Sequence, residues 1–254
     1  MRRLVRALLL LLIVSLAVAG IGWFVVQRAL NHEPAFYARA MTQSPEVQDA
    51  AGIELEKEVL DLHNQVRRAG HWQASFAENE LNGWLAVDLP VKFPKLLPEE
   101  AADPRLALRD GEALIACRYQ SDRLDCVVSI ALGLRLTANQ NEIAIRVRRA
   151  RAGALPLPLS KLIDQASHAA RREGIRLRWT EEGGEPVALV RVSPKHPEFP
   201  DRTVTIETLD IEGGQLLLGG VVEEKDARGS RIASRLDLSS LRLPLEYAST
   251  LILR

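Results

Sequence analysis

The chain has 254 residues, and 33 lysine and arginine residues balance 33 aspartate and glutamate residues at a formal net charge of +0. A nucleic-acid-binding domain usually carries a basic excess, so this balance argues against nucleic acid as a partner. Hydrophobic residues make up 47% of the chain and charged residues 26%, which is typical of a folded globular protein rather than a disordered one.

An uncharged apolar run occupies residues 7–26, about the length that a membrane-spanning helix needs. Arg2, Arg3 and Arg6 precede the run, and only Arg28 follows it closely. The positive-inside rule therefore predicts a single-pass protein of the cell membrane, with a cytoplasmic N-terminus and a periplasmic main domain.

The alternative is a signal peptide cleaved at the small residues Ala17 and Ala19, although the apolar run continues beyond that site. We interpret residues 1–30 as a cytoplasmic tip and an uncleaved anchor. Residues 31–254 are then interpreted as a single exported domain.

The exported part begins with a helical pattern. Ser44 and Pro45 are typical of an N-cap followed by a first helical residue. Apolar residues then recur at three- and four-residue spacing up to Gly70, which predicts an amphipathic helix over residues 44–70.

A second, shorter helix is predicted over residues 75–88. Ser75 and Glu78 have the spacing of a capping box, and the helix is expected to end before Pro90. Asn82 and Trp84, which fall inside it, are interpreted as capping and packing residues rather than as a ligand clamp.

The periodicity then changes to two, which predicts β-hairpins over residues 105–150. Asp110 and Gly111 form a hairpin-turn signal. Apolar residues alternate with small or charged ones through Val128, Ile130 and Leu132, as in an antiparallel sheet with one buried face.

A third helix is predicted over residues 158–173, followed by a β-rich region over residues 175–254 that contains a Gly213–Gly214 turn and a final strand at 236–253. Consecutive hairpins favour an α+β fold. We therefore expect an N-terminal transmembrane helix and then an antiparallel, curved sheet packed against amphipathic helices.

The only two cysteines are Cys117 and Cys126. If Ser121 and Asp122 form a two-residue turn, the two cysteines lie opposite each other with Cα atoms about 4.5 Å apart. A disulfide accepts that separation, and an exported protein meets an oxidising environment. We predict a disulfide, with two buried free thiols as the alternative.

Two stretches, SFAENELNGWLAVDLP at residues 75–90 and RVRRARAGALPLPL at residues 146–159, carry a family resemblance. The chain from residue 75 to 220 resembles poorly characterised membrane-anchored bacterial envelope proteins with a tubular lipid-binding (TULIP-like) domain. The resemblance implies a curved antiparallel sheet around a helix, and it carries over no catalytic residues. Ala77 departs from the serine or threonine cap of that pattern.

No pattern indicates an enzyme, a cofactor or a metal site. There is no Gly-x-Ser-x-Gly elbow, and the five histidines lack the three- or four-residue spacing of helical metal ligands. The sequence favours a membrane-tethered module that holds a lipid or another apolar chain between sheet and helix. The alternative is a structural module that docks on another envelope protein.

The residues expected to line an apolar ligand are Leu159, Leu162, Ile163, Ala166, Ala170, Val128, Ile130 and Leu132. The residues expected to contact an anionic lipid head group are Arg146, Arg148, Arg149 and Arg151.

Overall fold

A computed structural model describes residues 27–94, 97–122, 124–172, 174–195, 198–199 and 201–224. The predicted anchor at residues 7–26 and the final predicted strand at residues 236–253 lie outside these described residues. Among the residues that are described, no helix is long and apolar enough to cross a membrane.

The chain adopts a mixed α+β fold with antiparallel sheets, as predicted. Its helices are α1 (Ala35–Met41), α2 (Pro45–Val66), α3 (Glu78–Lys92) and α4 (Leu159–Arg172). Its strands are β1 (Gly70–Ala77), β2 (Ala101–Arg109), β3 (Glu112–Ser121), β4 (Leu124–Leu136), β5 (Glu142–Ala152), β6 (Leu155–Pro156), β7 (Leu177–Glu182), β8 (Glu185–Arg191), β9 (Arg202–Glu212) and β10 (Gln215–Glu224).

The strands in the described residues form two sheets. The larger sheet has the order β2-β3-β4-β5-β8-β7, with β6 paired to β5, and the smaller sheet has the order β1-β10-β9. Hairpins at Gly111 and at Gly213–Gly214 place these glycines at φ between 58° and 75°, a left-handed conformation that glycine adopts readily. The predicted hairpins are therefore confirmed.

Helix α2 confirms the first predicted start, since Ser44 is its N-cap and Pro45 its first residue, although it ends at Val66 instead of reaching Gly70. The second predicted helix is wrong at both ends. Residues 70–77 form strand β1, and α3 continues through Pro90 to Lys92.

The predicted capping box is also wrong. Ser75 does not cap α3, because its hydroxyl donates to Gln215 Oε1 on β10 at 2.8 Å. The N-cap is Ala77, whose backbone N–H donates to Glu80 Oε2 at 2.9 Å. Glu80 therefore supplies one half of a capping box, and alanine cannot supply the other.

Helices α2 and α3 cross at two glycines. A Cβ atom built on Gly83 would lie 2.4 Å from the carbonyl oxygen of Gln48 and 2.6 Å from the backbone nitrogen of Gly52. The backbones can approach this closely only because neither glycine has a side chain. This contact explains why a glycine occupies the middle of α2, where helix propensity disfavours it.

Amide side chains close three strand edges that would otherwise be unpaired. Gln65 on α2 exchanges two hydrogen bonds with the backbone of Gln73 on β1. Asn82 on α3 does the same with Leu106 on β2, and Asn141 joins Val204 and Ile206 on β9. Unpaired strand edges promote aggregation, so these three residues protect the fold.

Helix α1 packs against one side of the larger sheet. Tyr37 is buried against Ala116 of β3 and Val127 of β4, with Phe36 beside it. Burial, with a smaller contribution from Asp103, raises the pKa of Tyr37 to about 12, so the phenol stays neutral at physiological pH.

Candidate functional site

The two sides of the larger sheet differ in chemistry. Strand register places Ile115, Cys117, Val128, Ile130, Leu132, Leu134 and Ile145 on one side, which we call the apolar face. The other side carries Glu112, Arg135, Arg146 and Arg149, and also Arg148, which contacts Glu112; we call it the charged face. The predicted alternation of Val128, Ile130 and Leu132 is therefore confirmed as a single face.

One part of the apolar face is covered by the smaller sheet and α3. Leu108, Ala113 and Ile211 form a buried cluster, and Leu81, Leu132, Leu134 and Leu216 pack against it. Leu132, one of the predicted lining residues, therefore belongs to the interior between the two sheets.

Helix α4 lies at a different edge of the apolar face. Leu157, just before α4, donates its backbone N–H to Ala150 at the end of β5, at 2.9 Å. Trp179 on β7 lies on the apolar side of the sheet, in register with Ala188 and Ile145. Its Nε1 donates to Ser167 Oγ of α4 at 2.8 Å, which ties the helix to that side.

A part of the apolar face remains incompletely covered. Ile115 is 39% exposed, and Cys117, Val128 and Ile130 are half-buried. We call these four residues the open apolar strip. Ile115 pairs across the strands with Ile130, and Cys117 pairs with Val128, so the four side chains form one continuous surface.

The predicted lining residues on α4 differ in how deeply they are buried. Leu159 and Ile163 are half-buried on α4, Ala166 is exposed, and Ala170 is buried where its carbonyl oxygen accepts a hydrogen bond from Ile175. The side chain of Leu162 lies outside the described part of the chain.

The four predicted head-group arginines lie on the charged face, and two of them form close ion pairs there. Arg146 lies 2.8 Å from Glu182 and 3.5 Å from Glu185, and Arg148 pairs with Glu112. Hydrogen bonds from Arg135 and Arg146 hold the pKa of Glu182 below its ordinary value, so this pairing persists at neutral pH.

Arg149 and Arg151 differ from the other two. Arg149 is 59% exposed and lies 3.7 Å from Glu112, which it shares with Arg148. Arg151 is exposed and forms no ion pair with any described residue. Arg151 therefore has no ion-pair partner among the described residues, and Arg149 has only a longer contact to a carboxylate that it shares, so these two guanidinium groups are the most available to an external anion.

The predicted disulfide register is wrong, and both cysteines are free thiols in the structure. The turn pairs Ser121 with Leu124, so Tyr119 lies opposite Cys126 and Cys117 lies opposite Val128. The cysteines are therefore diagonal neighbours on one face, with Cα atoms about 7–8 Å apart, beyond the usual range for a disulfide.

Titration of the unfolded chain without reductant is expected to find two thiols, and the native chain is expected to react slowly. Desolvation by burial raises the pKa of both Cys117 and Cys126. The reactive thiolate is therefore scarce at neutral pH. A chain with no titratable thiol after unfolding would contradict the register described above.

A depression of about 720 Å³ was not predicted from the sequence. It lies on the smaller sheet and is lined by His71, Gln73 and Thr208, and by Glu58 and Asp61 of α2. Within the described ranges, no group of histidine, cysteine, aspartate or glutamate side chains is arranged to hold a metal ion. The mixed polar lining of this depression therefore indicates no particular chemistry.

Comparisons with protein families, with curated proteins and with solved structures found no match to this chain.

Proposed function

We propose that this protein is a membrane-tethered, extracytoplasmic binding module, and that its open apolar strip holds a lipid or another apolar chain beside α4. The observation that carries the proposal is the incomplete cover over Ile115, Cys117, Val128 and Ile130. Apolar side chains usually pack against other protein atoms, so a continuous, half-covered strip fits an apolar partner. The TULIP-like resemblance of the sequence agrees with this type of ligand.

The neighbouring elements suit this role. The cluster around Ile211 lies next to the strip. Helix α4 lies at the edge of the apolar face, where Trp179 of β7 bonds to it. Leu159 and Ile163 are half-buried on α4 and supply further apolar surface. An extended chain lying along the strip would remove this surface from water, at about 25 cal/mol per Å² of apolar area.

Replacing Ile115 by glutamate is expected to reduce binding of an apolar chain about tenfold or more, because a carboxylate in the strip would lose water when the chain binds. Ile115 is 39% exposed, so the variant is expected to fold. The measurement is photo-crosslinking of the full chain with a fatty acid that carries a diazirine, followed by peptide mapping.

The matched control is Leu60→Glu on α2, where the side chain is 59% exposed and lies away from the strip. We expect unchanged crosslinking in this control and labelled peptides from β3 and β4 in the wild type. Crosslinks confined to residues 7–26 would show contact with bulk membrane alone and would refute the binding proposal.

The membrane placement is tested separately. The prediction rests on the excess of arginines before residues 7–26. A reporter that is active only outside the cytoplasm, fused after Arg254, is expected to be active. If only a cytoplasmic reporter is active at that position, the proposed topology is wrong.

A second candidate function is a module that docks on another envelope protein. A specific observation favours it: large apolar side chains are exposed on α2 and around the end of α3, namely Val47, Ile53, Val59, Leu60, Val91 and Phe93. The same two variants separate the candidates. If the protein is a docking module, the Leu60→Glu variant would no longer bind the partner protein, whereas the Ile115→Glu variant would still bind it.

A further inference from the structure

A depression of about 260 Å³ lies on the charged face beside α1. Its apolar lining includes Phe36 of α1, Leu114 of β3 and Ala131 of β4, and its polar lining includes His32, Arg149 and Arg151. It therefore combines an apolar floor with two guanidinium groups, on the opposite side of the sheet from the open apolar strip.

The charge of this depression is incompletely compensated. Arg148 and Arg149 share the single carboxylate of Glu112, and Arg151 has no ion-pair partner among the described residues. Two of these arginines therefore share one carboxylate and the third has no ion-pair partner among the described residues, which leaves positive charge available at this surface. Guanidinium groups bind phosphate through paired hydrogen bonds, so this charge suits a phosphate-bearing ligand.

The N-terminal segment enters the fold at the same place. Ala154 donates its backbone N–H to the carbonyl oxygen of Ala29 at 2.7 Å. A Cβ atom built on Gly153 would lie 2.2 Å from that same oxygen. The chain that follows residue 26 is therefore held against the end of β5, three residues or fewer beyond Arg151.

The geometry also limits how far the depression can lie from the predicted anchor. His32 lies six positions after Val26, where the apolar run ends. Even a fully extended chain of that length spans only about 20 Å. The cationic depression is thus confined to the neighbourhood of the membrane surface if residues 7–26 span the bilayer.

From this juxtaposition we propose that Arg149 and Arg151 bind the phosphate of an anionic phospholipid head group in the membrane that residues 7–26 enter. This inference rests on the proposed membrane placement but not on the apolar-chain site, which lies on the other face. Phe36 and Leu114 are placed to contact the less polar part of the same lipid. The head group would hold the charged face toward the bilayer and leave the opposite face accessible.

The test uses the full chain in a nonionic detergent and native mass spectrometry. Bound phosphatidylglycerol is compared with bound phosphatidylcholine of identical acyl chains. The wild type is expected to prefer phosphatidylglycerol. The double variant Arg149→Gln/Arg151→Gln is expected to lose about 25-fold in affinity for it, since each arginine near an anionic surface contributes about fivefold.

The charge-matched control is Arg171→Gln/Arg172→Gln at the exposed end of α4, which is expected to keep the preference. No preference in the wild type, or an equal loss in the control, would overturn the proposal. Complete displacement by an equal concentration of inorganic phosphate would assign the site to free phosphate and would also overturn it. Ile115→Glu should leave the preference unchanged, so failure of the apolar-chain proposal is seen separately.

Discussion

Replacing Phe76 by alanine is expected to lower the free energy of unfolding by about 3–5 kcal/mol, the usual cost of removing a buried phenylalanine side chain. Phe76 is buried on β1 in a cluster with Leu55 and Ala74. Leu81, Trp84 and Leu218 pack around that cluster from α3 and β10. The variant leaves a cavity where two helices meet the smaller sheet, and chemical denaturation of the full chain in detergent measures the loss.

The neighbouring residue supplies the control. Ser75 points to the opposite side of β1, where its hydroxyl donates to Gln215. Ser75→Ala is therefore expected to change stability by less than about 0.5 kcal/mol, as for most surface substitutions. If Ser75 capped a helix instead, its loss would cost about 1 kcal/mol and Phe76→Ala would cost little, which would contradict the strand.

Replacing Asn82 by alanine is expected to cost about 2–4 kcal/mol. Asn82 is 3% exposed, and its amide donates to the carbonyl oxygens of Glu78 at 2.9 Å and Leu106 at 2.8 Å. Its Oδ1 also accepts from the backbone N–H of Leu106 at 2.8 Å. Removing the amide leaves both backbone groups of Leu106 without this partner, so the edge of β2 separates from α3.

The matched control is Asn79→Ala, one turn earlier on the same helix, where the side chain is exposed. Its expected effect is within about 0.5 kcal/mol. Thermal unfolding of both variants under identical conditions provides the comparison. A loss below about 1 kcal/mol for Asn82→Ala would mean that water replaces the amide, and Asn82 would then not be what closes the edge.

Local patterns predicted much of the fold correctly. Alternating apolar residues in β4 predicted one shared face, and the Asp110–Gly111 and Gly213–Gly214 pairs predicted hairpins that the structure contains. These predictions succeed because a strand has a side-chain period of two and a tight turn requires a positive φ, which are both local properties of the backbone.

Strand β1 was missed because its partner is remote in the chain. The Ser75–Glu78 spacing resembles a capping box, yet residues 70–77 pair with β10, at residues 215–222. Long-range pairing and burial of Trp72 and Phe76 outweigh the local helix signal. Helix α3 continues through Pro90 for a similar reason, since Leu89 in its last turn is almost fully buried.

The candidate sites show the same division. Composition and periodicity alone predicted a membrane anchor, an apolar sheet face and a group of arginines. Only the tertiary structure determined that Glu182 and Glu185 pair with Arg146, that Arg148 and Arg149 share Glu112, and that Arg151 has no ion-pair partner among the described residues.

Tertiary packing likewise decided that Leu132 packs against the buried cluster around Ile211 while Ile115 is exposed, and that the cysteines lie diagonally. A one-residue difference in the position of a turn changes which residues lie opposite each other along the whole hairpin. Coverage of a face depends on elements that are distant in sequence, here β9, β10 and α3. Periodicity therefore reveals which side of a strand is apolar, and packing between remote segments determines how much of that side remains open.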